Sequence, residues 1–261
     1  MVLYKMKDTF PSAKHHRPRR DSPQPWNTTI VVSYFKGDIR WTQRLSELGY
    51  HVCVYTHALA AQGPYNIPYN VGREASVYLK YMRDYYHSLR DYTVFLHDEE
   101  HAWHHDGSLV DLITQKLSTL RSPMYVNFNN RCTGSIYNGM WPMIQAFFHK
   151  YLAPYIGPIE PYGNWTQGGR CCAQFIVHHS RIRRHPHIFY DNLYRYVTRS
   201  RKNDPIGLAR AHCLEWTWAI IFGLGPSRRS NSSNGPSCPQ PTTSLMIGKR
   251  PIKSQAKGFI R

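Results

Sequence analysis

Five consecutive β-prone residues, Tyr92 to Leu96, follow an amphipathic stretch and stop at His97-Asp98-Glu99-Glu100-His101, and this passage fixes much of what the chain can become. So short and apolar a run predicts a strand buried on both faces, which requires layers above and below its sheet. Carboxylates just past such a strand stand at the sheet edge, where α/β folds bind ligands. Upstream, Arg73 to Leu89 carries apolar or aromatic residues at 75, 78, 79, 82 and 86, the spacing of a helix packed on that sheet.

The preceding segment repeats the theme. Thr28 to Phe35 is β-branched and reads as a first central strand, Asp38 to Leu48 as a helix turning at Gly49, and Tyr50 to Tyr55 as a second strand. Strand, helix, strand at this length implies a parallel pair joined by a right-handed crossover. Ala61 to Tyr69 is a loop delivering Asn70 to the next helix. Residues 107–121 predict another helix, and 122–170, rich in Gly, Pro, Asn and Trp, a mostly irregular binding region. Ala173 to Val177 predicts a late strand, followed by helical segments at Ser180, Ile188 to Thr198 and Ala209 to Phe222.

Charge separates this core from its flanks. Of 33 Lys+Arg against 16 Asp+Glu, residues 1–26 hold six basic and two acidic, and residues 223–261 seven basic and none acidic, leaving +6 between them. Residues 1–26 therefore predict a flexible basic arm, 27–223 one catalytic domain, and 224–261 a disordered basic tail. A moderately basic core suits an anionic ligand such as a diphosphate, whereas nucleic acid is not the expected partner. Without an apolar run that spans a bilayer, or an N-terminal secretory signal, the expectation is a soluble cytoplasmic protein with no stable membrane insertion. Cysteines 53, 132, 171, 172, 213 and 238 form no Cys-x-x-Cys pair and are expected reduced. Sequons at Asn27, Asn164 and Asn231 are expected to stay unglycosylated.

His97 to His101 admits three readings. Oxygen donors with a His suit Mn²⁺ or Mg²⁺ bridging a diphosphate, with Asp98, Glu100 and His101 as ligands. His97 and His101 also stand at the i, i+4 spacing of a zinc hydrolase, but that motif needs a helix, and a Glu where Asp98 stands. Third, the segment can be a solvated acidic turn with a His-rich rim. Asn70-Val-Gly72-Arg73-Glu74 reads as a helix start offering free N–H groups and a guanidinium to an anion, or equally as a capping turn. Trp103 and Trp165 are candidates to stack on a base or sugar, though core positions fit each as well. Arg181 to His185 reads as a solvated helix face and Cys171-Cys172 as small buried thiols. Glu215, in the otherwise apolar Leu214-Glu215-Trp216-Thr217-Trp218, must be paired or functional, because an unpaired buried charge is costly.

The order strand, loop, Asn70-x-Gly72, helix, apolar strand, acids resembles the nucleotide-sugar half of GT-A glycosyltransferases. More closely, residues from about Thr28 to Gly223 resemble a domain family of fungi and large viruses of algae, long catalogued as of unknown function. The likeness rests on Asn70-x-Gly-Arg-Glu-Ala with Tyr78-Leu79, Val94-Phe-Leu-His97, Trp103-His104, Cys171-Cys-Ala-Gln-Phe-x-Val177, Arg181-Ile with Pro186 and Tyr190, and Glu215-x-x-Trp218-x-x-Ile221-Phe-Gly223. Many members lack acids after the Phe-Leu-His, so the resemblance does not extend to a metal role for Asp98 and Glu100. It implies an α/β fold with a GT-A-like (Rossmann-like) mixed, mostly parallel sheet flanked by helices. By likeness to a chlorovirus xylosyltransferase, it also implies transfer of a sugar such as xylose from UDP-xylose to an oligosaccharide or glycoprotein acceptor, as in viral capsid glycan synthesis in the host cytoplasm.

On this reading Ser33, Tyr34, Asn70, Gly72, Arg73, Glu74 and His97 bind the donor, Glu215 and Asp98 are catalytic, and the transfer is inverting. The acceptor is expected over Trp165, the Cys171–Val177 strand and the last helix. A metal-dependent hydrolase built on His97, Asp98 and His101 is the rival enzyme. A carbohydrate- or nucleic-acid-binding module using the basic tails is the rival without catalysis.

Overall fold

A computed structural model describes residues 27–57, 65–67, 70–103, 105–120, 124–129, 141–157, 173–199 and 205–223. Five strands, β1 (Thr28–Tyr34), β2 (His51–Thr56), β3 (Tyr92–His97), β4 (Tyr125–Asn127) and β5 (Phe175–His178), form one sheet in the order β2-β1-β3-β5-β4. β1 is parallel to both β2 and β3. From β1 the chain passes through α1 (Thr42–Glu47) to β2 on one side, then through α2 (Arg73–Asp84) to β3 on the other. Right-handed crossovers in opposite directions put these helices on opposite faces, and the strand order reverses between β1 and β3.

Residues alternate between two cores because successive side chains of a strand point to opposite faces. Ile30, Val32, Val94, Leu96 and Ile176 pack with Trp41 and Leu45 near α1, and with Leu109, Val110, Ile113 and Leu117 of α3 (Leu109–Thr119). Val31, Phe95, Phe175 and Val177 face the larger core, built by α2, α7 (His187–Thr198) and α8 (Pro205–Ile221). Tyr92 to Leu96 are all buried, as a strand covered on both faces requires. In the larger core Tyr78, Phe95, Phe175 and Trp218 meet ring to ring, with Tyr78 and Phe95 centroids 4.8 Å apart. The Tyr78 hydroxyl donates to the Ala173 carbonyl at 2.7 Å, tying α2 to the start of β5.

Three expectations need correction. The sheet is mixed but not mostly parallel, since β3–β5 and β4–β5 are antiparallel. β5 enters from the edge where β3 ends, with Phe175 opposite Phe95, so it runs back against β3 instead of returning through a crossover. The stretch expected to be irregular contains β4, α4 (Trp141–Phe147), a π-helical turn (Phe148–Leu152) and α5 (Ala153–Ile156). Ile144, Phe147, Phe148 and Leu152 are buried there at helical spacing, a pattern hidden between Gly- and Pro-rich flanks. Finally, the first helix begins only at Thr42, because Asp38 caps a turn by accepting the Arg40 N–H at 3.0 Å.

α6 (His179–Ile182) completes the described helices. None of them is long and apolar enough to cross a membrane. The basic arm, the tail, His104, Trp165, Cys171 and Cys172 lie outside the described residues; Cys53 and Cys213 are free and buried.

Candidate functional site

The carboxyl ends of β1, β2 and β3, the start of α2 and the entry to β5 meet along one edge of the sheet. There Ser33 of β1 stands in register with His97 of β3 and Tyr55 of β2. Its hydroxyl lies 3.4 Å from Nε2 of His57, the buried residue that follows β2. The Tyr34 carbonyl accepts the His57 N–H, and Oε1 of the buried Gln174 accepts the His97 N–H at 3.3 Å. Burial, with His105 and Arg73 nearby, outweighs Asp98 and brings His97 down to about 4, so its imidazole is neutral at physiological pH.

Asp98 spans the gap where strand order reverses. Its Oδ2 accepts the N–H groups of Phe35 and Lys36 at 3.0 Å and of Gly37 at 2.6 Å, and its carbonyl accepts the Trp41 indole N–H at 3.2 Å. Burial opposes its charge, but the donors at Phe35, Gly37 and Lys36 prevail and hold the carboxyl below its ordinary range. The side chain thus clamps the turn after β1. A Cβ on Gly37 would lie 2.7 Å from Asp98 Cγ and 2.9 Å from its carbonyl oxygen, so only glycine fits beneath the clamp. Gly37→Ala should therefore cost about 1–2 kcal/mol through forced displacement, measured by urea denaturation.

The other acids after β3 point elsewhere. Glu100 accepts from Arg44 at 3.2 Å and from the Ser108 hydroxyl, while His101 Nδ1 lies 3.2 Å from the Gly107 carbonyl. Glu100 and His101 line a cavity of about 540 Å³ with Asp38, Arg40, Trp41 and Arg44. Residues 98–103 are not helical, so the zinc-hydrolase spacing lacks the helix it needs. Among the described residues no three His, Cys, Asp or Glu side chains are placed to share a metal ion. Asp98, Glu100 and His101 do not form such a group.

A different set does converge. α2 opens at Gly72 (φ 75°) and Arg73 (φ 48°), the latter the one non-glycine residue in left-handed backbone among those described. Such strain costs about 1–2 kcal/mol and persists where the surroundings impose it. Val197 of α7 packs where a Gly72 side chain would stand, 3.1 Å from an added Cβ, so the close approach glycine permits here is that of α7. No side chain caps the helix, Asn70 is exposed, and the capping-turn reading is not realised.

Glu74 follows, and burial raises its pKa despite its own backbone N–H, Arg73, His212 and His57. Across from it on α8 stands Glu215, pushed up to about 7 by burial and by Glu74, against the pull of Arg73. His212 Nε2 lies 3.9 Å from Glu215 Oε2; burial and Arg73 lower its pKa, so it is mainly neutral. Arg73 thus acts on Glu74, Glu215, His97 and His212 alike. Half-buried beside Glu74 and raised to about 7, Glu215 is able to take or give a proton near neutral pH.

Trp218, one helical turn beyond Glu215, is fully buried, and its indole N–H finds no acceptor among the described residues. This edge unites Ser33, Arg73, Glu74, His97 and Glu215, expected from the sequence, with His57, His212 and Gln174, which the expectation does not include. His57 follows β2 directly, where His97 ends β3, and His212 is i−3 from Glu215; both positions are legible signals.

An α/β protein with a switch point between two parallel strands and a carboxyl pair at its carboxyl edge is the class these features define. Residues 30–244 match the family described as "Protein of unknown function (DUF3431)", and the chain belongs to that family. No curated protein and no solved structure matches it.

Proposed function

We propose that the protein is an inverting glycosyltransferase that moves a sugar from a UDP-sugar to a glycan acceptor, with Glu215 as base. The observation that carries this reading is the Glu74–Glu215 pair, in which Glu215 is raised to about 7 beside Arg73 at the edge where α/β folds bind ligands. The acceptor oxygen attacks the anomeric carbon, the bond from that carbon to the β-phosphate oxygen breaks, and the acceptor proton passes to Glu215. Arg73 and the positive end of α2 offset the charge gathering on the departing diphosphate. Ser33, Tyr34 and neutral His97 form the floor of the donor site. No step runs through a metal.

Thermal denaturation tests the donor half of this reading. UDP or UDP-xylose at a tenfold excess over Kd should stabilise the protein by about 1.4 kcal/mol. The increase should survive a chelator and shrink in Arg73→Gln. A melting temperature unmoved by every nucleotide and nucleotide sugar would remove the donor site, and a shift that needs Mn²⁺ would return a metal to it.

A further inference from the structure

Outside the carboxyl pair, one cavity gathers cations and aromatic rings. It measures about 290 Å³ and is lined by Phe147 of α4, Lys150 and Tyr151 of the π-helical turn, Tyr196 of α7, Arg199 just after α7, and Arg210 of α8. Tyr151 and Tyr196 are 4.5 Å apart at 46°, with Phe147 5.0 Å from Tyr196. Arg210 lies 5.3 Å over the Tyr196 ring and donates to the Tyr196 carbonyl at 3.4 Å, while Lys150 lies 5.5 Å from the Tyr151 ring.

Among the described residues, Lys150 and Arg199 here lack the carboxylate neighbours that several other cations have. Elsewhere Arg40, Arg44, Lys80, Arg83 and Arg195 each meet a carboxylate. No Asp or Glu occurs among the described lining residues of this cavity, and neither Lys150 nor Arg199 has a carboxylate partner among the described residues. Like charges brought together repel unless an anion joins them. Tyrosine faces meanwhile cover the C–H surface of a ring, and guanidinium groups bind phosphate or carboxylate through paired N–H donors.

We propose that this cavity is a binding subsite for a small ring compound bearing a phosphate or carboxylate, the chemistry shared by a nucleoside monophosphate and an acidic or phosphorylated sugar. Its volume suits a compound of that size and not a whole nucleotide sugar. Arg210 precedes Glu215 by five residues on α8, about 7.5 Å of helix rise, so the subsite neighbours the carboxyl pair without containing it. The inference rests on the cavity and does not depend on sugar transfer.

Isothermal titration of the full chain with UMP, glucose 6-phosphate, glucuronate and glucose tests it. At least one anionic ring should bind about tenfold or more tighter than glucose, with UMP favouring the nucleotide source and the other two the sugar source. Because the chain carries +17, general attraction of anions is the rival explanation. Arg199→Gln should weaken the preferred ligand by about tenfold, whereas Arg195→Gln, equal in charge but paired with Asp191 on α7, should change it less than about twofold. Equal weakening by both variants, or anions that bind no better than glucose, overturns the subsite. A protein that binds these rings but transfers no sugar keeps the subsite and loses the transferase reading.

Discussion

Glu215→Gln should fold, bind UDP as the wild type does, and turn over a nucleotide sugar about 10²–10⁴-fold more slowly, the usual contribution of a positioned base. The amide keeps the volume of the carboxyl and cannot accept a proton. In the wild type kcat/KM should rise with pH through about 7, because the base must be ionised, and the residual rate of the variant should lose that rise. Stability moves the other way. Between pH 4.5 and about 7 the folded protein holds a proton that the unfolded chain has released, so Glu215 makes the fold less stable as pH rises. Glu215→Gln removes this burden and should be more stable than wild type at pH 8, by on the order of 3 kcal/mol, with the gain vanishing near pH 4. A variant that loses stability at pH 8 makes Glu215 a structural partner instead.

Asp98→Ala should cost about 2–3 kcal/mol in denaturant unfolding, since the N–H groups of Phe35, Lys36 and Gly37 lose their shared acceptor. The sign with pH is opposite to that of Glu215. The folded pKa of Asp98 is depressed, so its contribution is complete above the unfolded value of about 4 and fades as pH falls through the folded one. The gap between wild type and variant should narrow in acid. Nucleotide affinity should fall only with the loss of structure, and a metal-dependent loss of affinity without destabilisation would contradict the clamp.

The parallel half of the fold was legible because its signals are local. Each of the first three strands is a short apolar run, and the helix spacing at 75, 78, 79 and 82 survives in α2, where all four residues are buried. The antiparallel half was not legible, because the pairing of β5 with β3 joins residues some eighty positions apart and is decided by packing, as where Phe175 meets Phe95 and Tyr78. The site divides in the same way. Glu215 was conspicuous as a carboxylate in an apolar helix, and its raised pKa follows from that setting. Asp98 was conspicuous too, but nothing in the sequence tells a metal ligand from an acceptor saturated by three backbone donors. Arg73 and Glu74 mark a helix start, while their meeting with His212 and Glu215 depends on α8 lying against α2, a contact the sequence does not announce.

Sugar transfer with Glu215 as base is tested by mass spectrometry of a glycan acceptor incubated with the full chain and each of a panel of UDP-sugars, UDP-xylose among them, with UDP release followed in parallel. The wild type should give an acceptor heavier by one sugar residue, an inverted anomeric bond and one UDP released per transfer, all strongly reduced in Glu215→Gln. A folded wild-type protein that releases no UDP from any donor, or a Glu215→Gln variant that transfers as fast as wild type, would contradict it.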